Sequence, residues 1–80
     1  MVEINLWSGL RRLAGDQVVI PVTGSTVRAI LDALVTAHPA LAPVIKAGVS
    51  VSVNGEIVTD LNGPIAETDE VYLIQRIKGG

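Results

Sequence analysis

Thr26-Val27-Arg28-Ala29-Ile30-Leu31-Asp32-Ala33-Leu34-Val35-Thr36-Ala37-His38-Pro39 is the longest amphipathic stretch in this 80-residue chain, and its reading decides the fold. Val27, Ile30, Leu31, Leu34 and Val35 recur at i, i+3, i+4, i+7 and i+8, which makes one continuous apolar stripe on a helix. Thr26 precedes the stripe as an N-cap, its hydroxyl placed to accept a backbone N–H that the first turn leaves unpaired. Pro39 disfavours helical geometry at the residue before it, so the helix is expected to finish at His38. There the imidazole sits at the negative end of the helix dipole, a helix-end role rather than that of a ligand or base. A helix with a single stripe needs one apolar sheet face to cover it.

The flanking segments supply that sheet. Val2, Ile4 and Leu6 alternate with Glu3, Asn5 and Trp7, the period of a half-buried strand, and this parity puts Trp7 on the face away from the core. Ser8-Gly9 breaks the strand, Leu10, Leu13 and Ala14 recur at helical spacing, and Gly15-Asp16 stops that short turn. Val18, Ile20 and Val22 share one face of a second strand, which Pro21 places at an edge. After the main helix, Leu41, Val44 and Ile45 suggest a second short helical piece ending at Gly48, with Pro43 tolerated in its first turn. Val49, Val51 and Val53 alternate with Ser50 and Ser52, and Asn54-Gly55 is the pair favoured in a type I′ hairpin, with the return strand over Glu56 to Thr59. Asp60, Asn62, Gly63 and Pro64 form a loop that Ile65 anchors, and Thr68-Asp69-Glu70 turns the chain into the last strand. In that strand Val71, Leu73 and Ile77 face one way and Tyr72, Ile74 and Arg76 the other. The first and last strands, with the strongest alternation, are expected to pair in parallel at the centre. The result is an α+β domain with a mixed β-grasp sheet and one main helix packed on one face, spanning residues 1–78, followed by a flexible di-glycine tail at 79–80.

Composition narrows the function. One small domain leaves no room for a deep internal active site. Cysteine is absent and His38 is the single histidine, so thiolate or all-protein zinc sites and the usual catalytic triads are not expected, nor is any bound cofactor. A formal net charge of −2, no basic stripe and few aromatics argue against nucleic-acid binding. No apolar run approaches the ~20 residues of a membrane span and no secretory signal is visible, so the expectation is a cytoplasmic protein without a membrane partner. The partner should be another protein.

Two features point to how it would be used. Gly79-Gly80 lacks Cβ atoms, so it fits a narrow channel and offers its carboxylate to another protein's active site. Arg76 and Lys78 flank Ile77 just before it, placed either to steer the tail toward an acidic groove or only to form a solvated face, whereas Arg11 and Arg12 read as plain surface residues. On the sheet face opposite the helix, parity gathers Trp7, Tyr72 and Ile74, and Ile57 joins them if the hairpin register turns Val58 inward. An apolar patch on an open sheet face is a docking surface for a partner, the alternative being that Trp7 covers the sheet edge or packs against the Leu10–Leu13 turn.

The order of Leu10-Arg11-Arg12-Leu13-Ala14-Gly15, the helix opened by Thr26-Val27, then Val53-Asn54, Asp69-Glu70-Val71 and the closing Gly79-Gly80 resembles the ubiquitin-like sulfur carriers across essentially the whole chain. The nearest branch by this resemblance is the small subunit of molybdopterin synthase, MoaD, with the thiamine-pathway carrier ThiS a shorter cousin. Two departures stand out: Thr68 where the family often has Gly, and Gln75-Arg76-Ile77-Lys78 where molybdopterin-type carriers have a proline-rich, small-residue approach. The resemblance implies a non-enzyme that is itself a substrate. An E1-like partner would spend ATP to adenylate Gly80, the adenylate would become a thiocarboxylate, and sulfur would pass to an enzyme such as a molybdopterin synthase large subunit. It also implies docking through Trp7, Ile57 and Ile74. Use as a protein modifier, sulfur delivery to another thiolation pathway (thiamine, tRNA, cysteine), or service as a simple interaction module remain open alternatives.

Overall fold

The helix that the fold turns on, α2, runs Val27–Ala37 and buries Val27, Ile30, Leu31 and Leu34, with Val35 half-buried at the margin of the stripe. In this computed structural model, which describes residues 1–75, every donor of its first turn is satisfied. The Thr26 hydroxyl accepts from the Ala29 N–H at 3.1 Å. The N–H groups of Val27 and Arg28 donate to the carbonyls of Gly63 and Leu61 at 3.1 and 2.8 Å, and Ile65 donates back to Ser25 at 2.8 Å. The long loop before the last strand is thus stitched to the helix entrance, and Ile65, buried, anchors it as the sequence suggests. His38 caps the other end, its N–H on the Leu34 carbonyl.

Five strands form one mixed sheet: β1 (Val2–Asn5), β2 (Val19–Val22), β3 (Val49–Val53), β4 (Glu56–Val58) and β5 (Glu70–Gln75). Their order is β2-β1-β5-β3-β4, and the central β1–β5 pair is parallel, with Ile4 beside Val71 and Asn5 beside Tyr72. Two short helices, α1 (Ser8–Arg11) and α3 (Ala42–Ala47), complete the layer, α3 with Pro43 in its first turn and Gly48 at its end. Asn54 and Gly55 both have positive φ, 52° and 86°, the type I′ geometry that this pair supplies at little cost. The core lies between α2 and the sheet face carrying Val2, Ile4, Val51, Val71 and Leu73. Each such fully buried aliphatic side chain contributes about 1.5–3 kcal/mol.

Some boundaries fall elsewhere than the sequence pattern suggests. β1 stops at Asn5, so strand parity does not govern Trp7, and β4 ends at Val58 rather than Thr59. Val18 precedes β2 and is 49% exposed instead of facing inward with Ile20 and Val22. In the α1 turn Leu10 and Ala14 are buried but Leu13 is exposed, because the helix tightens to a 3-10 turn over Arg12–Ala14 and rotates Leu13 outward. The inward placement of Ile77, the outward placement of Arg76, and the tail residues Lys78, Gly79 and Gly80 lie outside the described residues.

Candidate functional site

The face of the sheet that α2 does not cover is built from the alternate residues of the same strands. One row crosses it: Asn5 on β1, Tyr72 on β5, Ser52 on β3 and Ile57 on β4 are successive register partners. Ile74 is one step along, beside Ser50. Ser52 is only 6% exposed although it faces the open side, because the longer side chains of Tyr72 and Ile57 stand on either side of it. Small serines thus form a floor between projecting walls. Tyr72 and Ile74 are 45% and 41% exposed, which leaves their apolar atoms available to a partner.

Trp7, Tyr72 and Ile74 border one depression of ≈ 760 Å³, together with Leu6, Val18 and Arg11. Ile57 is on the same row yet borders a different, smaller depression of ≈ 360 Å³ beside Leu31, Ile45 and Leu61. The four residues grouped by parity therefore divide into three and one. Trp7 also differs from its expected place on a free outer face. Having left the strand, it precedes α1 in extended geometry, and its carbonyl accepts from Leu10 and Arg11 at 3.0 and 3.2 Å. The indole is half-buried against the core and lies over Gly9, where an added Cβ would come 2.8 Å from Nε1. It packs on the α1 turn and borders the depression at once.

Arg11 is not the plain surface residue its sequence context suggests. Its Nε–H donates to the Leu6 carbonyl at 3.0 Å, which holds the half-buried side chain at the rim of the depression. Arg12 is exposed, as expected. On the same face Asn5 donates from Nδ2 to the Val71 carbonyl at 3.0 Å, tying β1 to β5 through a side chain as well as through the ladder. At the N-terminal ends of these strands the surface turns acidic, with Glu3 and Glu70 as register partners.

Next to this end, Asp69 closes a polar clasp. One carboxylate oxygen accepts from the Ala66 N–H at 2.8 Å and the other from Asn54 Nδ2 at 3.0 Å. The Asn54 side-chain oxygen in turn accepts from the Glu70 N–H at 2.9 Å. The backbone bond from Ala66, then that from Asn54, hold the Asp69 carboxyl below the usual aspartate range. The clasp fastens the β3–β4 turn to the start of β5.

Residues 76–80, which carry the expected tail chemistry of Arg76, Ile77, Lys78, Gly79 and Gly80, are outside the described residues. Their sequence follows directly from β5, whose C-terminal end carries Ile74.

A β-grasp sheet with one covered and one open face, and a last strand leading into the tail, defines a ubiquitin-like protein. The chain belongs to the ThiS family, whose family model matches residues 4–80. Members of this group are small sulfur carriers and protein modifiers rather than catalysts. Among solved structures it is similar to SAMP1 from Haloferax volcanii, with 36% identity, a TM-score of 0.76, and 99% of this chain and 98% of that one covered. A chain of the Amycolatopsis orientalis BexX/CysO complex matches over 100% of both chains at 24% identity and TM-score 0.82. A chain in the complex of subunits 1 and 2 of molybdopterin-converting factor from Helicobacter pylori 26695 matches at 16% identity and TM-score 0.71, covering 99% of this chain and 97% of that one. These last two share the fold. No curated protein matches the chain in sequence.

Proposed function

We propose that this protein is a sulfur carrier whose Gly80 carboxyl is activated and thiolated by a partner. The observation that carries the reading is the family match, which extends through Gly79 and Gly80. An ionised α-carboxylate is a poor acyl donor, so activation comes first. A Gly80 oxygen attacks the α-phosphorus of ATP on an E1-like enzyme, pyrophosphate leaves, and an acyl-adenylate forms. A sulfide-level nucleophile then displaces AMP and leaves the thiocarboxylate. The chain's own contribution is to dock through the Trp7, Tyr72 and Ile74 depression and present a tail without Cβ atoms. Ile57 adds a separate contact at the β4 edge. Arg76 and Lys78 guide the tail, with Ile77 between them.

As the sulfur acceptor we take the large subunit of a molybdopterin synthase, on the residue pattern set out above. A second reading, conjugation to lysine as a protein modifier, is favoured by the 36% identity to SAMP1. Intact mass of the protein from its own cells decides between them. Sulfur in place of oxygen at Gly80 supports the carrier, and a Gly-Gly remnant branched on lysines of other proteins supports the modifier. Deletion of Gly80 should abolish ATP–pyrophosphate exchange by the activating enzyme; exchange that survives the deletion overturns both.

A further inference from the structure

The open face is electrically polarised along the strands. Because β1 and β5 run parallel, their N-terminal ends put Glu3 and Glu70 side by side. Like charges set next to each other in a sheet are destabilising. Among the described residues the ion pair found is that of the Met1 ammonium with Glu67 at 3.3 Å, so nothing there neutralises Glu3 or Glu70. Glu3, Glu67 and Glu70 border one polar hollow, which shares Asn5 and Tyr72 with the apolar depression. At the opposite end Arg11 is held at the rim by its bond to Leu6. Leu6, whose carbonyl holds Arg11, lies three residues beyond Glu3, roughly 10 Å at the strand rise of ~3.3 Å per residue. That exceeds the Debye length of ~8 Å at physiological salt, so the two ends act as separate poles.

We infer that this face docks a protein surface of matching polarity: an apolar side chain for the depression, a carboxylate opposite Arg11, and Lys or Arg side chains opposite Glu3 and Glu70. The inference rests on the sulfur-carrier reading and adds the charge pattern of the partner. A uniformly apolar face would accept a partner in either direction along the strands. Two opposite poles select one, since the reversed orientation sets like charges against each other. The selected direction is the one that sends β5, and the tail that follows it, the same way in every encounter.

The test uses the full chain and the purified E1-like adenylating enzyme of the same organism, with ATP–pyrophosphate exchange and titrated affinity as readouts at low and high salt. Glu3→Lys/Glu70→Lys and Arg11→Glu should each weaken affinity roughly tenfold at low salt, and the gap to wild type should narrow at high salt. Arg11→Lys keeps the charge without the Nε bond and should stay near wild type, which separates charge from packing. Glu3→Gln/Glu70→Gln, which tests the acidic pole without reversal, should fall between. Pole variants within twofold of wild type, or a loss equal at all salts, overturn the polarity, while exchange by wild type leaves standing the adenylation on which the carrier reading rests. No exchange with wild type removes both. A concentration-dependent dimer that the same charge reversals dissolve assigns the face to a second copy of this chain instead.

Discussion

The two faces of one sheet are made from alternate residues of the same strands, yet they obey different rules. On the covered face Val2, Ile4, Val51, Val71 and Leu73 are all at most 3% exposed and meet α2 with no polar group among them. On the open face the interleaved Glu3, Asn5, Ser52, Glu70, Tyr72 and Ile74 mix charge, amide, hydroxyl and apolar surface. Packing density constrains the first set, where one missing methylene leaves a hole. Complementarity to something outside the molecule constrains the second. A substitution on one side should therefore move stability and spare binding, and on the other side do the reverse.

The largest expected effect tests the covered side. Leu34→Ala removes a side chain with no exposed surface from the middle of α2 and should cost about 2–5 kcal/mol. A domain of this size has about 4–12 kcal/mol in total at ~0.05–0.15 per residue, so the variant should be largely unfolded at modest denaturant. An unchanged denaturation midpoint would break the contrast at its stronger end.

Next comes the open side. Ile74→Asp places a carboxylate where the free protein solvates it, at a strand-propensity cost of up to about 1 kcal/mol. In a docked complex that charge is desolvated without a partner, and affinity for the activating enzyme should fall about a hundredfold, ~2.7 kcal/mol. Calorimetric titration reads the loss and thermal melting the near-constancy of the fold. Wild-type affinity would remove Ile74 from the docking surface.

How much of this was legible follows from where periodicity applies. The α2 stripe, its Thr26 cap and the Asn54-Gly55 turn are local patterns that packing reinforced, and the parallel central pair followed from the strong alternation of the first and last strands. The face assignments of Tyr72 and Ile74 held for the same reason. Trp7 escaped because β1 ends at Asn5, and one residue past a strand the rule of two has no force; Ser8-Gly9 was the local sign of that break. Arg11 escaped because its partner is a backbone carbonyl brought near only by the turn into α1. The juxtaposition of Glu3 and Glu70 depends on register, which alternation does not specify for a parallel pair. For residues 76–80 the sequence remains the source of the reading.

Gly9→Ala sharpens the comparison where the two faces meet at Trp7. The new methyl would sit 2.8 Å from the indole nitrogen, so the ring must shift. Alanine gains about 0.5–1 kcal/mol of helix propensity in α1, which offsets the contact and should leave the melting midpoint nearly still. Trp7 is the single tryptophan, so its fluorescence reports the displacement directly. A shifted emission maximum with binding weakened severalfold is expected. Unaltered fluorescence would place the indole away from Gly9.

The smallest effect belongs to the clasp at the edge of both faces. Asp69 accepts from Ala66 and Asn54, and both bonds favour its ionised form, so its folded pKa lies below the unfolded one. With a depressed folded pKa the unfolded chain binds the proton more readily, and acid therefore favours unfolding. The stabilisation is fully present above the unfolded value of about 4 and is lost as pH falls through the folded value. Asp69→Asn removes that linkage. Its amide has one oxygen to accept with, and its NH₂ faces either the Ala66 N–H or the Asn54 amide, donor against donor. At neutral pH the variant should be slightly less stable than wild type, by less than any core substitution, since the group is close to solvent. Below about pH 4 the two stability curves should converge as wild type loses what the variant never had. Denaturation midpoints across that range measure the convergence. Parallel curves would show that the Asp69 bonds contribute nothing to folding, and that the β3–β4 turn is held to β5 by Asn54 and the sheet ladder.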